Sequence, residues 1–369
     1  MRIALDLRKI ASSGIGRYMR NIVEALTHEA PEHEYVLIVP QGSEHLLKLN
    51  GANSKVLPVN VPYYSIQEQL AIPALLAKHR VDLFHSPHFV VPVIRTCPVV
   101  VNIHDVIYMA RREELKSRTG RFYYRCMMPL AAHWSDAVIT SCEYTKKEII
   151  HHLSANPDKV FVVPYGIDSG FQPVTDAESL ARVRRKYGIS EQYVLYLGIY
   201  RERKNHAGLL QAFQHLVQSG TRCQLVIAGP MNEAEEELRT LAAELGIEKR
   251  MVLTGFVADE DLPALYSGAR VYACPSLAEG FGLTVIEAMA CGTPVVCAQN
   301  SSLPEAAGTA ALFADISNPQ LFGEALHRAL GDDALRQELT DRGIKHATRF
   351  SWKVAAQDTL KIYAAASKS

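Results

Sequence analysis

The feature that most limits the fold is an alternation that runs through the chain twice. Short apolar runs, RIALDL (2–7), EYVLIVP (34–40), DLFHSP (82–87), VVVNIHD (99–105) and DAVITSC (136–142), are separated by longer amphipathic stretches such as 16–30 and 143–153. Such alternation is the pattern of parallel strands joined by helices. It lapses near 171–180, restarts at QYVLYLG (192–198), and continues through CQLVIAG (223–229), RMVLTGFV (250–257), RVYACPS (270–276) and TPVVCA (293–298). The reading is an α/β chain of two doubly wound parallel-sheet domains, 1–172 and 173–350. The amphipathic segment 351–369 is a candidate to cross back to the first domain, although periodicity does not fix its destination. Open parallel sheets bind ligands beyond the carboxyl ends of their strands, so a cleft between the two domains is the expected site.

Composition narrows the function. The 39 basic and 39 acidic residues cancel, so no global field draws the chain to nucleic acid. The seven cysteines form no CxxC pair, and charge at Asp6, Arg8 and Lys9 interrupts any apolar leader, which makes the cytosol the expected compartment. No apolar run reaches the roughly 20 residues of a spanning helix.

EGFGLTVIE (279–287) carries the chemistry most clearly. Gly280 and Gly282 precede what reads as a helix start, so the amides of residues 282 to 285 are expected as unpaired donors for an anion. Carboxylates do not suit a phosphate. Glu279 and Glu287, roughly 10 Å apart along part loop and part helix, therefore suit neutral hydroxyls on either side of it. A nucleotide diphosphate sugar has that layout. The alternative, left open by these nine residues alone, is that Glu287 complements the helix dipole and Glu279 is solvated.

LAEGFGLTVIEAMACGTPVV closely resembles the E-x7-E segment of the retaining family-four glycosyltransferases, whose fold is GT-B, two Rossmann-like domains. The resemblance spans nearly the whole chain through GIGRYMRNIVEAL, HD after VVNI, PYGID, LGIYRERKN, VIAGP, LTGFV, LYSGARVYACPS, SSLPEAAG and a C-terminal FSW. It implies that Glu279 contacts the transferred sugar, that Glu287 holds the nucleotide ribose, and that loop amides around Phe281, Gly282 and Leu283 meet sugar and phosphates. It also implies cations from the stretch Gly198 to Asn205. Lys204 matches, Ile199 stands where many members carry arginine, Arg203 resembles the arginine of a PRKN variant, and Arg201 is a reserve. A solvated basic turn is the plainer alternative for these three.

In the first domain the resemblance sets Gly14 and Gly16 at the donor phosphates and His104 beside the donor sugar, acting through ring or backbone. Asp105 either orients that ring or caps the next element. Taken alone, Gly14 and Gly16 read equally as a structural turn. A nicotinamide-binding GxGxxG is excluded by Met19 and by the residues between strand and glycines. His85 and His88 are assigned to the acceptor side or to core packing, since no third metal ligand lies nearby. Asp259-Glu260-Asp261 reads as a helix N-cap with an acidic first turn rather than a metal-binding DxD, so no metal or other cofactor is expected.

Residues 111–125 hold six basic side chains against two acidic, interleaved with Phe122, Tyr123 and Tyr124. That local patch is either a solvated helix face or a peripheral contact with anionic lipid, which would bring a lipid-linked saccharide acceptor to the enzyme. GIGRY together with RKN resembles the mannosyltransferase-rich branch and favours GDP-mannose as donor. UDP-glucose or a related UDP-sugar, and a non-catalytic sugar-nucleotide-binding scaffold, remain the alternatives.

Overall fold

The computed structural model describes residues 1–12, 14–49, 53–111, 117–231 and 234–368. It divides into two compact units, Met1–Gly166 with Phe350–Ser369, and Ile167–Arg349. The division thus falls at 166/167 rather than 172/173, and the C-terminal segment belongs to the first unit.

The first unit is built from β1 (Arg2–Asp6), α1 (Gly14–Glu29), β2 (Glu34–Pro40), β3 (Ser54–Val59), α2 (Ile66–Lys78), β4 (Leu83–Ser86), β5 (Val99–Asn102), α3 (Ile107–Ala110), α4 (Arg118–Trp134), β6 (Ala137–Thr140), α5 (Glu143–Leu153) and β7 (Val160–Val162). Its seven strands pair in parallel in the order β3-β2-β1-β4-β5-β6-β7. Both faces are covered, which is why the strands read as continuous apolar runs. Alternate residues serve opposite faces: Ile3 and Leu5 pack with Met19 and Ile22 of α1, whereas Ala4 joins Val36, Ile72 and Met128 on the other side.

The second unit runs α6 (Ala177–Tyr187), β8 (Tyr193–Leu197), α7 (His206–Gln218), β9 (Gln224–Ala228), α8 (Glu235–Glu244), β10 (Met251–Gly255), α9 (Leu262–Ser267), β11 (Val271–Cys274), α10 (Leu283–Ala290), β12 (Val295–Ala298), α11 (Leu303–Ala307), β13 (Ala311–Ala314), α12 (Pro319–Gly331) and α13 (Asp333–Ala347). Its parallel sheet has the order β10-β9-β8-β11-β12-β13. In both sheets the order reverses beside the first strand, at β1/β4 and β8/β11, the switch point where such sheets place ligands.

The last helix, α14 (Trp352–Ala366), returns to the first unit and packs along α1 through Ala355, Ala356, Ile362 and Tyr363. Its start explains two of the quoted motifs. The Trp352 indole stacks on Tyr165 at 6.3 Å, and a Cβ added to Gly166 would lie 2.2 Å from the Trp352 backbone nitrogen. Glycine in PYGID and tryptophan in FSW are therefore two sides of one close approach.

Candidate functional site

In the second unit the loops that follow neighbouring strands β8 and β11 converge. After β8 a tight turn at 202–204 ends on Asn205 in the left-handed region (φ 54°), and the Asn205 side chain caps α7 by accepting from the Gly208 amide at 3.2 Å. After β11, Leu277 donates its amide to the Arg203 carbonyl at 2.7 Å, joining the two loops. This carries Lys204 Nζ to 2.6 Å from Glu279 Oε1 and Arg203 to 3.6 Å from Oε2.

Glu279 is buried, at 8% exposure, and held from several directions. Ser276 donates its hydroxyl to Oε1 at 2.6 Å, the Glu279 amide donates to Ser301 Oγ at 3.0 Å, and Ser302 donates to the Glu279 carbonyl at 2.9 Å. Burial alone raises the carboxyl pKa. The Lys204 and Arg203 charges, with hydrogen bonds from Lys204 and Ser276, outweigh it, so the net shift is downward. Glu279 is neither solvated nor free to swing: it is an ionised group of fixed position beside two cations. Arg201 is exposed and donates to the neighbouring Tyr200 carbonyl, and its contacts do not include Glu279.

Gly282 begins α10 at φ 101°, a conformation that favours glycine, and a Cβ there would also press Leu303 of α11 at 3.1 Å. The four amides of residues 282 to 285 are not all unpaired. Val285 donates to the Gly282 carbonyl at 3.0 Å, so the donors left for a ligand begin with Gly282, Leu283 and Thr284. The Phe281 side chain is part of the core. Glu287, 1% exposed in the middle of α10, accepts from the Tyr266 hydroxyl at 3.0 Å.

In the first unit His104 follows β5 at the carboxyl edge. Its Nε2 bonds the Pro87 carbonyl at 2.9 Å, so that nitrogen carries the proton, and Nδ1 accepts from Tyr165. Burial pushes its pKa down, and the ring is neutral with both nitrogens committed. Of the two roles expected for His104, ring or backbone, only the backbone is uncommitted. Asp105 does not orient the ring; its Oδ1 accepts from the Ile107 amide at 3.1 Å at the start of α3.

His85 is not on the acceptor side. It is fully buried, with Nδ1 bonded to Tyr363 of α14 and Nε2 to Asn102 at 2.6 Å, and burial lowers its pKa to about 4. His88 is also buried, packed against Phe89, Tyr63 and Tyr64, and its Nδ1 has no hydrogen-bond partner among the described residues. Among the described residues no group of three or more His, Cys, Asp or Glu side chains gathers at one point. Asp261 is no N-cap acceptor: fully buried, it takes Lys186 at 2.6 Å and Arg182 at 2.8 Å, tying α6 to α9.

Residues 12–171 match the family described as Glycosyltransferase Family 4, and residues 181–346 match Glycosyl transferases group 1. The chain is 30% identical to O-antigen chain mannosyltransferase B of Escherichia coli over 96% of its own length and 97% of that protein. The chain belongs to the family-four glycosyltransferases. A D-inositol 3-phosphate glycosyltransferase of Corynebacterium efficiens is 29% identical over 77% of this glycosyltransferase and 71% of the relative. The GT-B fold agrees with Anabaena Alr3699/HepE, solved with UDP and glucose, at a TM-score of 0.79 and 18% identity over 99% of this chain and 100% of that one.

Sequence reasoning missed Ser276, Ser301 and Ser302, which position Glu279, and Tyr165, which locks His104. The serines sit inside two of the quoted motifs, so spacing to Glu279 was the available signal. The glycine pair separates cleanly. A Cβ on Gly16 would meet the Ile10 carbonyl oxygen at 2.3 Å, whereas one on Gly14 meets nothing within 4 Å. Gly16→Ala is expected to destabilise by about 1–3 kcal/mol, and Gly14→Ala to leave stability within about 1 kcal/mol of the parent. Thermal unfolding of both variants checks this, and a Gly16→Ala protein as stable as the parent contradicts the packing account.

Proposed function

We propose that this glycosyltransferase moves a hexose, mannose in first place, from a nucleotide diphosphate donor to a saccharide or lipid-linked saccharide acceptor, with retention and without an essential metal. The carrying observation is the Lys204–Arg203–Glu279 cluster, its carboxylate buried and its two cations half-buried, beside the start of α10. Two cations face one carboxylate there, so a net positive charge remains for a diphosphate. Departure of a nucleoside diphosphate is eased by groups already aimed at its developing charge. The Gly282 to Thr284 amides, Lys204 and Arg203 fill that role, while Glu279 grips a hydroxyl of the sugar and Glu287 one of the ribose. The fixed ammonium of Lys204 spends one N–H on Glu279 and keeps others for a phosphate oxygen. The acceptor hydroxyl then attacks on the face the nucleotide leaves, and its proton passes to a phosphate oxygen. Likeness over nearly the full chain to an O-antigen chain mannosyltransferase supports mannose as the transferred sugar and a role in polysaccharide synthesis.

Purified protein supplied with GDP-mannose, UDP-glucose and related donors is expected to hydrolyse GDP-mannose slowly. Glu279→Ala and Lys204→Ala should each lower that rate by 100-fold or more, and EDTA should leave it unchanged. Full activity in both variants sinks the assignment. EDTA inhibition reversed by a divalent ion sinks metal independence, and hydrolysis of UDP-glucose instead moves the donor.

A lipid-linked acceptor calls for a membrane-facing surface, which we place on the first unit, on the cytoplasmic side. No helix among the described residues is long and apolar enough to cross a membrane, and all seven cysteines are free thiols. Residues 112–116 of the basic stretch lie outside the described residues. Arg118, Arg121 and Arg125 are exposed on α4, and of the three aromatics only Phe122 faces outward, at 72% exposure. Tyr123 instead donates to Glu68 of α2 at 3.2 Å, and Tyr124 packs on Phe89. That bond sets α2 beside α4, and Ile66 and Leu70 of α2 stand 84% and 64% exposed. Exposed apolar side chains next to cations suit an anionic bilayer. Vesicles containing phosphatidylglycerol should capture the protein, and Arg118→Glu with Arg121→Glu and Arg125→Glu should abolish capture. Undiminished capture removes the membrane contact.

A further inference from the structure

A second concave feature of the first unit lies at the amino ends of the strands, the opposite edge of the sheet from Asp6, Ser86 and His104. It is a cavity of about 470 Å³ where β1, β2 and β3 begin and α2 ends, lined among others by Arg2, Glu34, Lys55, Lys78, His79 and Arg80. That volume lies within the range of small-ligand sites. Four guanidinium or ammonium groups face a single carboxylate, in a chain whose total charge is zero.

The one carboxylate is already spent. Glu34 takes the Arg2 guanidinium at 2.8 Å, and Arg2 also donates to the His79 carbonyl at 2.8 Å. Lys55, Lys78 and Arg80 have no acidic partner among the described residues. Basic residues after a helix are an ordinary complement to its carbonyl end, which accounts for Lys78 and His79 on α2. That explanation does not cover Lys55, which comes from β3, or Arg2, from β1. Arg80 occupies the left-handed region at φ 49°, where glycine is the usual choice after a helix, so an arginine stands there against its conformational preference. The cations converge on His79. The His79 pKa is lowered by burial and then by Lys55, Lys78 and Arg2, three charges from three elements acting on one imidazole.

We propose that this cavity binds an anion bearing two phosphates, separately from the site at the carboxyl edge. Charge matching selects the class: one phosphate ester carries about −1.5 to −2 charges and leaves three unpaired cations incompletely balanced, whereas two balance them. A free diphosphate supplies that charge in one molecule; the phosphodiester headgroups of an anionic lipid surface, at one charge each, supply it only as a cluster, and the two are separable by experiment.

The full chain labelled at histidine ¹³Cε1 is titrated with sodium pyrophosphate, the His79 resonance being assigned by its loss in His79→Gln. Pyrophosphate should shift that resonance saturably, raise its titration midpoint by neutralising the surrounding cations, and bind less tightly as salt is added. The triple variant Lys55→Gln, Lys78→Gln, Arg80→Gln removes only exposed side chains, so its thermal midpoint should match the parent. Its affinity should fall about tenfold, the equivalent of three screened charge contacts. In a parallel arm, phosphatidylglycerol and phosphatidylcholine vesicles are floated with parent and triple variant. A pyrophosphate response assigns a free anion; phosphatidylglycerol capture that depends on the three residues, without one, assigns headgroups. An unshifted His79 resonance together with capture indifferent to the triple variant overturns the proposal, as does equal pyrophosphate affinity in parent and variant.

Discussion

The ion pair between Lys204 and Glu279 is the interaction on which the second unit's site depends. Its cost is the removal of two charges from water, and a buried pair repays that cost only when the remaining lone pairs are also satisfied. Here Ser276 donates a second hydrogen bond to Oε1, Arg203 adds its charge 3.6 Å from Oε2, and Ser301 and Ser302 fix the backbone that carries the group. Removing one partner of such a pair costs about 3–5 kcal/mol because the other is left buried and uncompensated. The same bonds that hold Glu279 in place also hold the loops after β8 and β11 together, so the stability of this region and the geometry of the proposed anion site have one origin.

At the corresponding edge of the first unit, Arg8 pairs with Asp6 at 2.6 Å and Glu68 at 3.2 Å, all three buried, and a chain of hydrogen bonds runs beside them. Tyr363 of α14 bonds His85 on β4, His85 bonds Asn102 on β5, and Asn102 donates to Tyr18 on α1 at 3.0 Å. Each group in the chain has its partner, as a buried polar network requires. The arrangement explains why the last helix belongs to this unit: without α14, His85 would lose the Tyr363 hydroxyl and α1 its apolar cover. His104, one strand end away, is fixed in the same manner by Tyr165 and Pro87.

Much of this was legible in the sequence, for identifiable reasons. Parallel strands buried on both faces produce unbroken apolar runs, so the two sheets could be read directly, and the ordered motifs pointed to the family. Glycines with a geometric necessity, Gly282 by its φ and Gly16 by its approach to Ile10, also stood out. What could not be read was which side a polar residue faces. His85 and His88 look like site residues because they flank a strand end, but burial of the rings depends on α14 and on Tyr63 and Tyr64, remote in sequence. Tyr123 and Tyr124 alternate with arginines as a membrane-facing segment would, yet helical geometry turns them toward α2 and Phe89. The cations of the amino-edge cavity come from β1, β3 and α2, and no local pattern joins them.

The central claim is that Glu279 is already ionised and fixed by Lys204 before any donor arrives. A folded-state pKa below the unfolded one means that the pair contributes stability above the unfolded pKa and loses it as the pH falls through the folded value. Carboxyl ¹³C NMR across an acid titration of the ligand-free protein, with Glu279 assigned by Glu279→Gln, measures this directly. The account predicts a Glu279 midpoint below the ordinary glutamate range that moves upward in Lys204→Met. A midpoint at or above the ordinary value in the parent, or one that Lys204→Met leaves in place, would contradict it.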